Sequence, residues 1–256
     1  MSTDDASRVQ REQEFHDQRF AEGEGTRPAG RFYRMAKGIE SFYDDRIARI
    51  EPGQSVLELG CGLKVGAWSL AERGVDVTGI DISEVAIAQV KDLAVERGLD
   101  DHTTFLHMNA EQLTFPDESF DVVVGNGILH HLDLDLALSG IRRVLRPGGW
   151  AAFREPLGHN PFVNAYRRLT PDQRTDDEHP LLAADLRTIE RYFPGSEHEY
   201  FNLLDLLSVV ALKSKHFDAV HGALARADQR LFARVPALRR YGWMVGIDLH
   251  KPAEPA

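Results

Sequence analysis

Cysteine is almost absent, because Cys61 is the only one in 256 residues. A single thiol excludes an intramolecular disulfide, a CxxC redox pair and a cysteine-based zinc cluster, and it fits a reducing cytoplasm. Long apolar runs are missing as well. The longest, residues 203–212, has 10 residues and includes Asp205, against roughly 18 for a membrane span. The opening MSTDDASRVQREQEF lacks the apolar centre of a secretory signal. An excess of positive charge is also lacking. The formal net charge is -10, whereas sequence-independent nucleic-acid binding needs a basic footprint to neutralise phosphates. The expectation is a cytoplasmic protein with no membrane or nucleic-acid partner.

What is present is enough apolar material for a sizeable core. At 43% hydrophobic residues over this length, one large domain or one domain with an insertion is expected, and a folded enzyme is the natural class. Residues 1–28 are polar and show no firm apolar period, which predicts a mobile arm or a loosely docked helix. Between 30 and 50, Phe32, Met35, Ile39, Phe42, Tyr43, Ile47 and Ile50 recur at steps of three and four, the helical period.

Beyond residue 50 the pattern alternates. SVLEL (55–59), DVTGI (76–80), TFLHM (104–108), FDVVVG (120–125) and WAAFR (150–154) read as strands. AWSLAERG, SEVAIAQVKDLAVERG and LDLALSGIRRVL between them read as helices. Gly74 and Gly98 suit C-caps and Ser83 suits an N-cap. Such alternation predicts a parallel sheet covered on both faces. Farther on, TPDQ at 170–173 has capping-box spacing with proline at the first helical position, so a helix is expected to start there. SEHEYFNLL (196–204) and WMVGIDLH (243–250) read as two more strands, with helical material between.

The glycine turn after the first strand carries the functional signal. In open parallel sheets the ligand sits beyond the carboxyl ends of the strands, where strand order reverses. VLELGCGLKVGAW (56–68) is placed to be that turn, yet it is not a GxGxxG dinucleotide fingerprint. Gly60 and Gly62 are in place, Val65 stands at the third position, and Gly66 comes one residue late. Its companions are Asp81 after the second strand, Asn109-Ala110-Glu111, FPDESFDVVVGNGILHHL and RVLRPGGW. Together these resemble the class I S-adenosylmethionine-dependent methyltransferases, in particular the small-molecule group with ELGCG, FPDxSFD, LHH and RVLxPGG motifs. The resemblance runs continuously over residues 55–155.

The resemblance implies an α/β, Rossmann-like fold: a seven-stranded, mostly parallel sheet with helices on both faces, an N-terminal helical lid and a C-terminal helical insertion. The corresponding segments are 1–50 for arm and lid, 51–155 for the cofactor-binding core, and 156–256 for the rest of the sheet with its substrate-covering insertion. It implies S-adenosylmethionine as cofactor and a small molecule as methyl acceptor, with oxygen the favoured atom. A homodimer is the assembly left open. A dinucleotide oxidoreductase and a non-catalytic S-adenosylmethionine-binding protein are the alternatives.

Each site residue has a physical reason. Gly60 and Gly62 let the backbone approach the methionine part of the cofactor, beside Glu58. Asp81 is placed to accept from the ribose hydroxyls. The resemblance sets Asn109 and Ala110 against the adenine and Asn126 at the methionine end. Asn109 stands where the family usually has Asp, and Lys64 stands where it usually has a third glycine. Cys61 reads as a small packed residue of the turn.

A methyl transfer to oxygen needs alignment, exclusion of water and removal of a proton. His130 is expected as base or acceptor-orienting group, with Glu155 orienting its ring or the acceptor. His131 is expected about 100° away on the same helix start. Tyr33, His131, His159, Tyr166 and Arg168 are the candidate acceptor contacts, the arginines of that segment suiting an anionic group. No metal site is evident.

Overall fold

The computed structural model describes residues 3–23, 36–63, 66, 68–170 and 178–253. Seven strands form one sheet: β1 (Ser55–Leu59), β2 (Asp76–Asp81), β3 (Thr103–His107), β4 (Phe120–Asn126), β5 (Leu145–Pro156), β6 (Glu197–Phe201) and β7 (Met244–His250). Their order is β3-β2-β1-β4-β5-β7-β6. β7 runs antiparallel to both β5 and β6, and the remaining pairs are parallel. The sheet is therefore mixed but mostly parallel, as expected.

The strand sequences explain the two-sided burial. Side chains alternate faces along a strand, and Val56 packs into one apolar layer while Leu57 packs into the other. Val122 and Val124 likewise join the first layer and Val123 the second. The Val56 layer is covered by α2 (Lys37–Ala48) and α4 (Glu84–Arg97), through Ile39, Phe42, Ile87 and Val90. The opposite layer is covered by α5 (Leu134–Val144) and α7 (Ala183–Tyr192), through Leu138, Ile141 and Ile189.

Local signals set the helix ends. Ser83 Oγ accepts from the Ala86 amide and Gly98 closes α4 at φ 65°. α3 is shorter than its sequence suggests, only Trp68–Ala71, and Gly74 turns the chain at φ 76° into β2. β6 stops at Phe201 instead of running to 204, because Asn202 takes a left-handed φ of 64°. Between β6 and β7 lie a 3-10 segment, Asp205–Ala211, and α8 (Phe217–Arg234), the expected helical insertion.

Of the two forms expected for the N-terminal segment, the helix is the one present: α1 (Thr3–Ala21) docks on the start of α4, where Asp17 accepts from Ser83 Oγ and the Val85 amide. α6 (Pro161–Leu169) was not anticipated; Asn160 caps it by accepting from the Phe162 and Val163 amides. The helix expected from Pro171 lies outside the described residues, as do Phe32, Tyr33, Lys64 and Arg174.

Candidate active site

Strand order reverses between β1 and β4, so their carboxyl ends diverge and open a crevice there. A cavity of about 750 Å³ occupies it. The glycine turn forms its floor. Gly60 and Gly62 sit at φ 64° and 47°, a region open to glycine at no steric cost. A Cβ on Gly60 would approach Ile128 Cδ1 to 2.8 Å. Glu58 Oε1 accepts the Gly66 amide at 2.9 Å, which folds the turn back on its own strand.

Asp81 closes the next side. Its Oδ1 accepts the Ser83 amide and its Oδ2 the Gly62 amide, both at 2.9 Å. Burial pushes this carboxyl above its ordinary pKa, against the pull of those amides. Asn109 Oδ1 accepts the Glu111 amide, so that turn presents Asn109 and the buried Ala110 to the cavity. Burial, with Asp81 and Glu58 adding to it, pushes the Cys61 thiol up, so it stays protonated as a packing residue.

His130 and His131 lie on a 3-10 turn, Leu129–His131, rather than on a regular helix, and their ring centroids are 4.2 Å apart with the planes tilted by 40°. Their nitrogens nevertheless go to different partners. His130 Nδ1 meets Glu155 Oε2 at 2.7 Å, and Glu155 Oε1 accepts the amides of Ile128 and Leu129. His130 lines the cavity; its Nε2 is buried and makes no hydrogen bond among the described residues, with Glu178 Oε1 3.8 Å away. His131 faces Glu12 of α1 at 3.3 Å. Burial, reinforced by His130, lowers its pKa, with Glu12 opposing.

α1 supplies a wall that sequence reading did not anticipate. Arg8, Glu12, His16 and Phe20, each four residues from the last, line the cavity along one helix face. Arg8 pairs with the buried Glu111 and donates to the His131 carbonyl, and Phe20 Cζ lies 3.3 Å from the Cβ position of Gly62. Arg154, also unanticipated, lines the cavity with its Nε donating to Asn126 Oδ1 at 2.6 Å and its guanidinium over the Tyr43 ring. Phe42 and Tyr43 themselves are buried core residues.

The α6 segment sorts the remaining candidates. Tyr166 lines the cavity. Arg168 is exposed and does not line it, and the neighbouring Arg167 does, pairing with the buried Glu178 at 2.9 Å. His159 is displaced too. Its Nε2 accepts the Ala183 amide at the start of α7, and it borders a separate, smaller depression.

This cradle suits a nucleoside joined to an amino acid. It offers left-handed glycines, a buried carboxylate at a strand end, a polar turn beyond β3 and a cation at the far side. Residues 57–153 match the family described as "Methyltransferase domain". Residues 57–153 thus carry a methyltransferase domain, and the chain around them is similar to S-adenosylmethionine-dependent enzymes of class I. Among curated relatives, a sterol 24-C-methyltransferase of Gibberella zeae is 36% identical over 139 residues, 54% of this chain and 35% of the relative. The 27-O-demethylrifamycin SV methyltransferase of Amycolatopsis mediterranei is 40% identical over 118 residues, 44% of this chain and 43% of the relative. The chain thus spans less than half the length of these curated relatives. Phosphoethanolamine N-methyltransferase 2 of Haemonchus contortus, solved with S-adenosylhomocysteine, shares the fold. Its TM-score is 0.61 at 19% identity, covering 84% of this chain and 52% of that one.

The cofactor of the methyltransferase domain is S-adenosylmethionine. Among the described residues, no helix is long and apolar enough to cross a membrane.

Proposed function

We propose that this chain moves the S-adenosylmethionine methyl group to a hydroxyl oxygen of a bulky, largely apolar small molecule. The observation that carries the reading is the His130–Glu155 pair. A buried carboxylate fixes Nδ1 of a cavity-lining ring whose Nε2 has no hydrogen-bond partner among the described residues, with Glu178 Oε1 3.8 Å from it. That is the arrangement of an oriented general base.

When bound, the cofactor supplies a methyl group on a cationic sulfur. Glu58, Gly60 and Gly62 hold its amino-acid part, with Arg154 and Asn126 offering charge and hydrogen bonds to the carboxylate. Asp81 takes the ribose hydroxyls, and Asn109 and Ala110 take the adenine edge. His130 Nε2 removes the acceptor's hydroxyl proton, and Glu155 stabilises the imidazolium that results. His131 and Tyr166 border the acceptor. The outer cavity wall, with Ile39, Val163, Leu206, Val209 and Met244, is apolar and excludes water. In this division 51–155 binds the cofactor, while the N-terminal and C-terminal segments cover the acceptor.

Methylation of an alkene carbon also ends with loss of a proton to a base, so the His130–Glu155 pair serves either chemistry and the acceptor atom is what the test decides. The test has two stages. Calorimetric titration with S-adenosylhomocysteine, and with NAD in parallel, is expected to give micromolar binding of the former alone; tight NAD binding or no S-adenosylhomocysteine binding overturns the reading. Labelled methyl transfer is then measured on apolar polycyclic and macrocyclic alcohols and on their deoxy counterparts. Transfer to the alcohols alone supports oxygen, and equal transfer to the deoxy compounds overturns it.

A further inference from the structure

Three ligand atoms converge where α1 meets the histidine turn. Glu12 Oε2 lies 3.5 Å from His16 Nε2 and 3.3 Å from His131 Nδ1. All three atoms fall within 4.8 Å of one another. Glu12 and His16 are one turn apart on the same helix face, while His131 comes from the loop beyond β4.

The distances are informative because the same chemical pair occurs one residue away. A proton shared between imidazole and carboxylate draws His130 and Glu155 to 2.7 Å. His131 Nδ1 stays at 3.3 Å from its carboxylate, and this buried nitrogen makes no hydrogen bond among the described residues. That spacing matches the edge of a coordination tetrahedron. Bonds of about 2.0–2.1 Å to a central zinc set the ligand atoms about 3.3 Å apart.

We propose that Glu12, His16 and His131 bind a divalent transition-metal ion of the zinc class, which clasps the N-terminal helix to the wall of the active-site cavity. Two imidazoles and one carboxylate favour zinc over magnesium or calcium, which prefer oxygen donors. A fourth position is left for water or a cavity ligand, since Glu12, His16 and His131 all line the cavity. A second grouping, His130, His131 and Glu178, shares His131. There the His130 Nε2–Glu178 Oε1 edge is 3.8 Å, wider than the 3.5 and 3.3 Å edges of the Glu12 grouping, which lie nearer the tetrahedral spacing.

The test uses the full chain after treatment with a chelator. Zinc chloride is titrated in competition with a chromophoric chelator, and Co²⁺ is added separately to read its visible spectrum. The expected result is stoichiometric zinc binding and the intense d–d bands of tetrahedral Co²⁺. Both should be lost in Glu12→Gln and in His16→Gln, two substitutions that preserve side-chain size. Metal-free circular dichroism and thermal unfolding matching the parent establish that the variants fold. Zinc should also slow amide hydrogen exchange in α1 of the parent. Absence of stoichiometric binding, binding unchanged in both variants, or binding without protection of α1 each overturns the proposal. S-adenosylhomocysteine affinity is measured independently, so failure of the clasp is distinguishable from failure of the methyl-transfer reading.

Discussion

Glu155 holds His130 through a 2.7 Å contact with Nδ1, and its other oxygen accepts the amides of Ile128 and Leu129. One buried carboxylate therefore orients both the ring and the turn that carries it. Glu155→Gln keeps the shape and removes the charge that stabilises an imidazolium. Turnover on an alcohol acceptor should fall by about 10²–10⁴-fold, the usual contribution of a positioned base. S-adenosylhomocysteine affinity should stay close to that of the parent. Parallel losses in turnover and affinity would instead give Glu155 a purely structural role in the turn.

Asp81 should govern cofactor affinity in a pH-dependent way. Burial raises its pKa, so it takes up a proton at a higher pH than an exposed aspartate does. The protonated acid accepts less well from ribose hydroxyls. S-adenosylhomocysteine binding should therefore weaken as pH falls through that raised value, and Asp81→Asn should weaken it at neutral pH and flatten the dependence. Calorimetry across the acidic range reads both. An unchanged slope in the variant would remove Asp81 from the ribose site.

The parallel strands were legible because each is an apolar run bounded by turn residues, and both faces of the sheet are buried. The Ser83 and Gly98 caps were legible for a similar reason, since each is a local backbone requirement. α1 was not. Its inward face is Arg8, Glu12, His16 and Phe20, a mostly polar stripe held by ion pairs and ring contacts, so an apolar period cannot find it. Spacing by four was the available signal. α6 buries no residue fully, and only the Asn160-Pro161 start marked it. In the site, His130 and Glu155 could be paired from their strand ends. Arg168 could not be placed, because which side of α6 faces the cavity depends on packing with residues far along the chain, and His159, before that helix, is held by the distant Ala183 amide.

Gly60→Ala tests the turn itself. The residue sits at φ 64°, where an L side chain costs about 1–2 kcal/mol. The new methyl group would also press on Ile128, whose amide is held by Glu155. Thermal stability should drop by a few degrees, and S-adenosylhomocysteine affinity should drop with it. A variant of parental stability and affinity would mean that the turn tolerates a side chain and does not contact the cofactor closely.

Asp205 gives a stability prediction away from the site. Its carboxyl is buried, accepts from Asn202 Nδ2 at 2.9 Å, and is pushed up to about 7 by burial, with Asp228 adding to the effect. An unfolded aspartate ionises near pH 4. Between these values only the unfolded chain releases its proton, so this group's contribution to stability declines as pH rises from about 4 to about 7. Asp205→Asn keeps an acceptor for Asn202 and cannot ionise. It should match the parent in melting temperature near pH 4 and exceed it near pH 8. The gain should be at least about 2–4 °C, the shift that 1 kcal/mol produces in a chain of this size. Differential scanning calorimetry at the two pH values decides it, and a difference of the same size at both would mean that Asp205 ionises as an ordinary exposed carboxylate.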